Sequence, residues 1–303
     1  MARRTVLIAG STASGKTGLA IKIADRIGGI IINADALQVY SKWRILTARP
    51  SQEELAQAPH HLYGHVDETY DYSVGVWLKE VSEILRNSDK PAIIIGGTGL
   101  YFAALINGLS DIPPIPANIR AAGNAHREND GLTWFQQELS ANDAETYVTL
   151  DQNNPARLQR AWEVLAATGK GLSYWHARPT PALISLEEAY PILLNWNVDD
   201  LNTRIDKRFD IMMDSGAVEE CEAAIKAGFD SKIPANRAIG ANEIISALDG
   251  KITMQDAVIK SKTLTHQFAK RQRTWFRSKM KNWQQVDMSE EPNLDALVEA
   301  IPR

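Results

Sequence analysis

The chain has 303 residues, 44% of them hydrophobic, a formal net charge of −4 and one cysteine. That length and apolar content allow a large core, read as one main domain plus an insertion, and no run approaches the ~18 apolar residues of a membrane span. A single cysteine, Cys221, excludes a disulfide framework and a multi-cysteine zinc site, and with no signal-peptide pattern before the first strand we expect a soluble, cytoplasmic protein.

The apolar run Thr5–Ala9 predicts a buried strand, and Gly10, Ser11, Thr12, Ala13, Ser14, Gly15, Lys16 and Thr17 follow as G-x-x-x-x-G-K-T. Behind them Leu19, Ala20, Ile23, Ala24 and Ile27 recur at helical spacing. Strand, glycine-rich turn and helix in that order make the motif a phosphate cradle, with turn amides and the helix dipole facing an anion. Lys16 brings a mobile positive charge, and the Thr17 hydroxyl suits Mg²⁺.

Further strands are predicted at 29–33, 92–95 and 190–196. Unbroken apolar runs such as Ile93-Ile94-Ile95 fit parallel strands covered on both faces. The expected fold is α/β, a P-loop NTPase-like parallel sheet flanked by helices. Proline clusters at Asp111–Pro116 and Arg178–Pro181 bracket a stretch with no strong strand signal, so residues 113–184 are read as an all-helical insertion and 1–112 with 185–303 as the core. One helix of about 28 residues is expected from Asp199 to near Gly228, and another over 253–281.

Chemistry-bearing groups cluster at the expected strand ends. Asp35 follows the second strand, where ligands sit in open α/β sheets, and it reads as a general base, a metal ligand or a turn cap. The third strand runs into Gly96-Gly97-Thr98-Gly99 with no acid at its tip, which argues against an NTPase or motor. Arg204 and Arg208 share a helix face and either suits a phosphate clamp or a surface ion pair. His60-His61 reads as loop or polar packing rather than metal ligation. Residues 257–286 contain no acid but carry Lys260, Lys262, Lys270, Arg271, Arg273, Arg277, Lys279 and Lys281 among aromatic residues. That stripe fits a nucleic-acid backbone surface or a solvated helix face.

The set of motifs resembles the tRNA dimethylallyltransferases (tRNA isopentenyltransferases). It comprises residues 10–17, Asp35 with Gln38-Val39-Tyr40, Thr47-Ala48-Arg49-Pro50, Pro59-His60-His61-Leu62, Gly96–Tyr101, Arg204–Phe209 and Ala269–Arg277, in family order. The resemblance implies transfer of a dimethylallyl group from dimethylallyl diphosphate to N6 of the adenosine 3′ of the anticodon, in tRNAs reading codons that begin with U. It implies that residues 10–17 hold the diphosphate, that Thr17 supports Mg²⁺, and that Asp35, Thr98, Lys16 and Arg208 are catalytic. The RNA side would comprise Asp35, Ala36, Leu37, Gln38, Thr98, Arg120, Ala156, Arg157, Leu158, Gln159, Arg160 and Arg237. The insertion would grip the anticodon stem-loop of tRNA, and the enzyme is expected to be a monomer away from membranes.

Three departures from the family pattern stand out. Ser11 replaces a usual proline, Ala36 replaces the serine after the acid, and Ala241-Asn242 replace aromatic and basic residues. The competing readings are a prenyltransferase acting on free AMP, ADP or ATP, which the long insertion disfavours, and a P-loop small-molecule kinase, which the missing strand-end acid disfavours. A non-catalytic RNA-binding module with a vestigial P-loop is opposed by the intact Lys16, Thr17 and Asp35.

Overall fold

The computed structural model describes residues 4–302. One sheet holds β1 (Thr5–Gly10), β2 (Ile30–Asn33), β3 (His60–His61), β4 (Ala92–Gly96), β5 (Ala189–Asn195) and β6 (Gln284–Asp287), in the order β3-β2-β4-β1-β5-β6. Every pairing is parallel. The four expected strands are present to within a residue or so at each end. The outer two were not anticipated, for a simple reason: β3 is two half-buried histidines, and β6 buries only Val286. Edge strands that bury so little leave no apolar run to read. His60 and His61 are therefore strand residues rather than loop.

The chain divides into two compact units, one running to Ile106 and resuming at Ile184, the other Asn107–Leu183. In the first, α1 (Lys16–Ile27), α2 (Gln52–Gln57), α3 (Val74–Asn87) and α4 (Gly99–Asn107) alternate with strands. Val6, Ile8, Ile31, Ile93 and Ile95 of the sheet pack on Leu19, Ala20 and Ile23 of α1. Each such large side chain, fully buried, stabilises by about 1.5–3 kcal/mol.

The second unit is built on α5 (Ala117–Asn129), α6 (Gly131–Asn142), α7 (Ala144–Thr149), α8 (Pro155–Thr168) and α9 (Leu172–His176). Its core joins Phe135, Leu139, Leu158, Ala161, Val164 and Leu172. His126 stacks on Trp134 with ring centroids 3.6 Å apart.

After β5 come α10 (Val198–Asp214), α11 (Ala217–Lys226), α12 (Ala241–Leu248), α13 (Met254–Lys279) and α14 (Leu294–Glu299). The single long helix expected over 199–228 is two, because Gly216 takes φ 105°, outside any helix, and starts α11 afresh. Asn197, not the Asp199-Asp200 pair, caps α10, its side chain accepting from Asp199 N.

The tips of β2 and β4 are tied together. Ala34 N donates to Ile95 O at 2.6 Å and Thr98 N donates back to Ala34 O at 3.2 Å. A Cβ at Gly96 would collide with the Ala34 carbonyl, so this close approach requires glycine. The result places Asp35 and Thr98 on neighbouring turns beside the loop that follows β1.

Candidate active site

The loop after β1 turns through Gly15 (φ 88°) into α1, whose first amides have no partner within the helix. Lys16 folds back, its Nζ donating to Gly10 O at 2.9 Å and Ser11 O at 2.8 Å. Burial pushes the Lys16 pKa down to about 8, with Asp35 opposing and Arg208 adding to the fall. The Ser14 hydroxyl oxygen is buried with no protein partner. Arg208, on α10, donates to the Thr12 hydroxyl. Its pKa is drawn down to about 10 by burial, Asp35 opposing and Arg204 assisting. Two desolvated cations beside a loop of amides form a site short of negative charge.

Asp35 is held by its own turn. Oδ1 accepts from Leu37 N at 2.9 Å and Gln38 N at 3.4 Å, and Asp35 N donates to Asn33 Oδ1 at 2.9 Å. The turn-capping role is therefore real, and it fixes the carboxylate with Oδ2 3.6 Å from where a Gly97 Cβ would stand. Thr98 Oγ1 accepts from Ala36 N at 3.0 Å.

Two cavities meet around this carboxylate. One, of about 650 Å³, is lined by Thr12–Gly18 together with Gln38, Arg49, Arg204, Lys207 and Arg208. The other, of about 460 Å³, is walled by Leu46, Phe209, Met212, Phe268, Trp275 and Phe276, with Ala36, Leu37 and Thr98 on the same side as Asp35. Thr12, Asp35, Thr47, Arg208 and Gln272 line both. A cationic chamber and an apolar, aromatic chamber thus share one wall, and the carboxylate stands in it.

Two residues in or behind this wall, Gln272 and Glu220, carried no individual signal in the sequence, whereas Gln38 was expected on the RNA side. Gln272 of α13 is buried and accepts from Thr12 N at 2.8 Å while donating to Gly97 O at 2.9 Å, joining the loops after β1 and β4. Glu220 of α11 accepts from the amides of Arg44, Ile45 and Leu46 at 2.5, 3.0 and 3.0 Å. Gln38 Nε2 donates to Thr47 O and Ala48 O at 2.8 and 2.9 Å. Between them Glu220 and Gln38 hold the 44–48 segment against both chambers. Cys221 beside Glu220 is buried, its thiol pushed up to about 12 by desolvation and then by Glu220.

The remaining expected residues are dispersed. Arg237 is exposed on a 3₁₀ turn, Pro234–Arg237, followed by Ala238 and Ile239 in the apolar chamber wall. In the second unit Arg120, Ala156 and Arg157 are exposed and Arg160 is half-buried. Leu158 and Gln159, expected at an RNA surface, are turned inward. Leu158 has no exposed surface and joins the unit's core, while Gln159 is buried and donates to Asn124 and Glu163 at 2.8 and 2.9 Å. Successive residues of a helix point about 100° apart, so a contiguous block cannot all face one ligand.

The basic stretch also divides. Ala257, Ser261, Thr265, Ala269, Gln272 and Phe276 form the buried stripe of α13. Lys262 pairs with Asp210 at 2.6 Å and Lys260 with Glu243 at 3.5 Å. No helix among the described residues is long and apolar enough to cross a membrane.

Comparison with known proteins agrees with this geometry. The IPP transferase family model matches residues 38–279 and the isopentenyl transferase model residues 3–63. A tRNA dimethylallyltransferase of Cereibacter sphaeroides is 50% identical over 283 residues, 93% of this chain and 88% of the relative. That of Dinoroseobacter shibae is 50% identical over 285 residues, 94% and 95% of the two chains. Among solved structures, the tRNA isopentenylpyrophosphate transferase from Bacillus halodurans superposes with TM-score 0.69 at 29% identity, covering 98% of this chain and 94% of that one. A eukaryotic dimethylallyltransferase acting on tRNA gives TM-score 0.81 at 26% identity, covering 94% and 74%. The loop after β1, the acid after β2 and the glycine turn after β4 thus sit in a chain that belongs to the tRNA dimethylallyltransferase family.

Proposed function

We propose that this protein transfers the dimethylallyl group of dimethylallyl diphosphate to N6 of the adenosine 3′-adjacent to the anticodon, in tRNAs reading U-starting codons, and releases diphosphate. The observation that carries the reading is the position of Asp35 in the wall common to a cationic and an apolar chamber. Residues 10–17 bind the diphosphate, and the adenine enters from the apolar side with the five-carbon chain between them.

An exocyclic adenine amine is a weak nucleophile because its lone pair is delocalised into the ring. As the N6–C1 bond forms, the C1–O bond to diphosphate breaks and its electron pair leaves with the diphosphate oxygen. Asp35 takes the N6 proton, the positioned-base role. The charge gathering on the leaving group is met by Lys16, Arg208, the loop amides and the Thr12 side. On binding the anion, Lys16 exchanges the carbonyls of Gly10 and Ser11 for phosphate oxygens. Thr98 holds the Ala36 amide and so sets the floor under the incoming base.

Mg²⁺ fits through Thr17, which lines the cationic chamber. No group of three or more His, Cys, Asp or Glu among the described residues is arranged to hold a metal, so phosphate oxygens and water would supply most of its ligands, as Mg²⁺ prefers. When bound, the ion would neutralise diphosphate charge.

A base read in this way must leave its stack. The second unit then serves the anticodon stem-loop through Arg120, Arg157 and Arg160, and the enzyme acts as a monomer in the cytoplasm. Incubation with labelled dimethylallyl diphosphate and either unmodified tRNA or AMP tests the assignment. Label is expected in tRNA at that adenosine; label in AMP alone overturns it.

A further inference from the structure

The structure assigns a positioning role to Trp196, a residue that follows β5 and lies outside every motif described above: with Arg204 it fixes the peptide planes of the diphosphate loop. The inference rests on the reading of residues 10–17 as an anion cradle. Trp196 Nε1–H donates to Ser14 O at 3.0 Å, and Arg204 Nε donates to Ala13 O at 3.1 Å. The Arg204 guanidinium carbon lies 4.4 Å from the Trp196 ring centroid, so the two donors brace each other through a cation–π contact. Leu201, Ile205 and Ala269 pack beneath them, with Ala13 and Trp196 half-buried against that cluster.

A trans peptide is planar, so a carbonyl pinned on one side points the next residue's N–H the other way. Pinning Ser14 O aims the Gly15 amide away from Trp196. Pinning Ala13 O does the same for the Ser14 amide, which already donates back to Ser11 O at 3.2 Å. Ala13 itself adopts φ 63°, a left-handed conformation that a residue with a Cβ enters at some energetic cost and holds only where the surroundings enforce it. The Arg204 bond to its carbonyl is such an enforcement. On the other side of the loop the Gly10 and Ser11 carbonyls are taken by Lys16 and the Thr12 amide by Gln272. Trp196 is thus the one indole in this arrangement, and its N–H sets the loop without touching the donor. It makes the cradle preorganised: the Gly15 amide already faces the anion before the anion arrives.

The test compares wild type with Trp196→Phe, which keeps the ring over Arg204 and removes only the N–H. Calorimetric binding of dimethylallyl diphosphate, steady-state kinetics with tRNA and thermal melting are read in parallel. We expect Kd and KM for the donor to rise about three- to tenfold, the range for one lost hydrogen bond, with KM for tRNA and the melting temperature unmoved. Trp196→Ala should weaken donor binding further, because Arg204 then loses its platform. An unchanged donor Kd in Trp196→Phe, or a defect confined to the melting temperature, overturns the assignment. Failure of the wild-type protein to bind the donor would instead remove the cradle reading on which it stands.

Discussion

The two chambers share a wall but are assembled in opposite ways. The longest single piece of the cationic chamber is one unbroken run of chain, Thr12 to Gly18, with Arg204, Lys207 and Arg208 added from one turn or so of α10. The apolar chamber draws short pieces from many places: 35–37, 46–47, 97–100, 208–209, 238–239 and 275–276. A chamber that binds by backbone amides needs a continuous stretch of chain, because the amides must be adjacent to converge on one anion. A chamber that binds by apolar contact needs only surface, which any element can supply. The first therefore leaves one continuous motif with a local physical cause, while the second leaves only scattered short blocks, such as Gly97–Leu100 and Trp275-Phe276, whose common purpose no single block shows.

The shared wall is where this contrast is tested most severely. If Asp35 is the base that both chambers serve, Asp35→Asn should keep the turn, since an amide oxygen still accepts from Leu37 N, and keep donor binding. Turnover should fall about 100-fold or more, the usual scale for a positioned base. Single-turnover kinetics alongside donor calorimetry check this. Turnover within a few fold of wild type would leave Asp35 as a turn cap and nothing else.

Gln272 is the next most informative residue, because it physically joins the chambers' two loops. Gln272→Leu preserves volume but leaves the Thr12 amide and the Gly97 carbonyl without their partner, and unmade buried hydrogen bonds are worth about 1–3 kcal/mol each. We expect roughly a tenfold loss in kcat/KM, with donor KM and kcat both affected. A change in only one of them would mean that one loop holds its shape without help.

How much of this was legible follows the same division. The strands with unbroken apolar runs, the loop at 10–17 and the acid at 35 were readable because each is a local pattern with a local cause. Gln272 was not: a glutamine between Arg271 and Arg273 looks like part of a solvated stripe until the phase of α13 turns it inward. Glu220 lies among acids on α11, and only folding brings it against the amides of 44–46. Leu158 and Gln159 lie in a block of adjacent residues that reads as one surface, but helical phase sends Leu158 and Gln159 inward and leaves Arg157 outside. The helix break at Gly216 was missed because helix-forming residues flank it on both sides.

A smaller effect separates the chambers by pH. The Lys16 ammonium is desolvated, so its pKa is lowered to about 8 from an ordinary 10.5. The donor needs the charged form. Below pH 8 the cation is present at no further cost, and as pH rises through 8 the empty site loses it, so donor binding must take up a proton. Donor KM should therefore rise several-fold between pH 7 and pH 9. Arg208, at about 10, stays charged over most of that window and so cannot produce the change. A flat donor KM from pH 7 to 9 would show that Lys16 remains charged throughout and that its contacts to the Gly10 and Ser11 carbonyls outweigh its burial.

The least effect on chemistry, and the sharpest on recognition, is expected in the second unit. There Arg157 is exposed on the outer face of α8, and Arg160, half-buried, has its pKa lowered by desolvation, with Glu163 opposing and Arg120 assisting. If these side chains meet RNA phosphates, Arg157→Gln with Arg160→Gln should leave kcat at saturating tRNA nearly unchanged. The slope of log affinity for tRNA against log salt should become shallower by about one to two, because each neutralised phosphate contributes roughly 0.7–0.9. Binding of dimethylallyl diphosphate, which depends on residues 10–17, should not move. Filter binding of unmodified tRNA across a salt series measures the slope directly. An unchanged slope would place the phosphate contacts elsewhere, and Lys270, Arg271, Arg277 and Lys279 on α13 would be the next charges to neutralise, since the buried stripe of that helix leaves them outward.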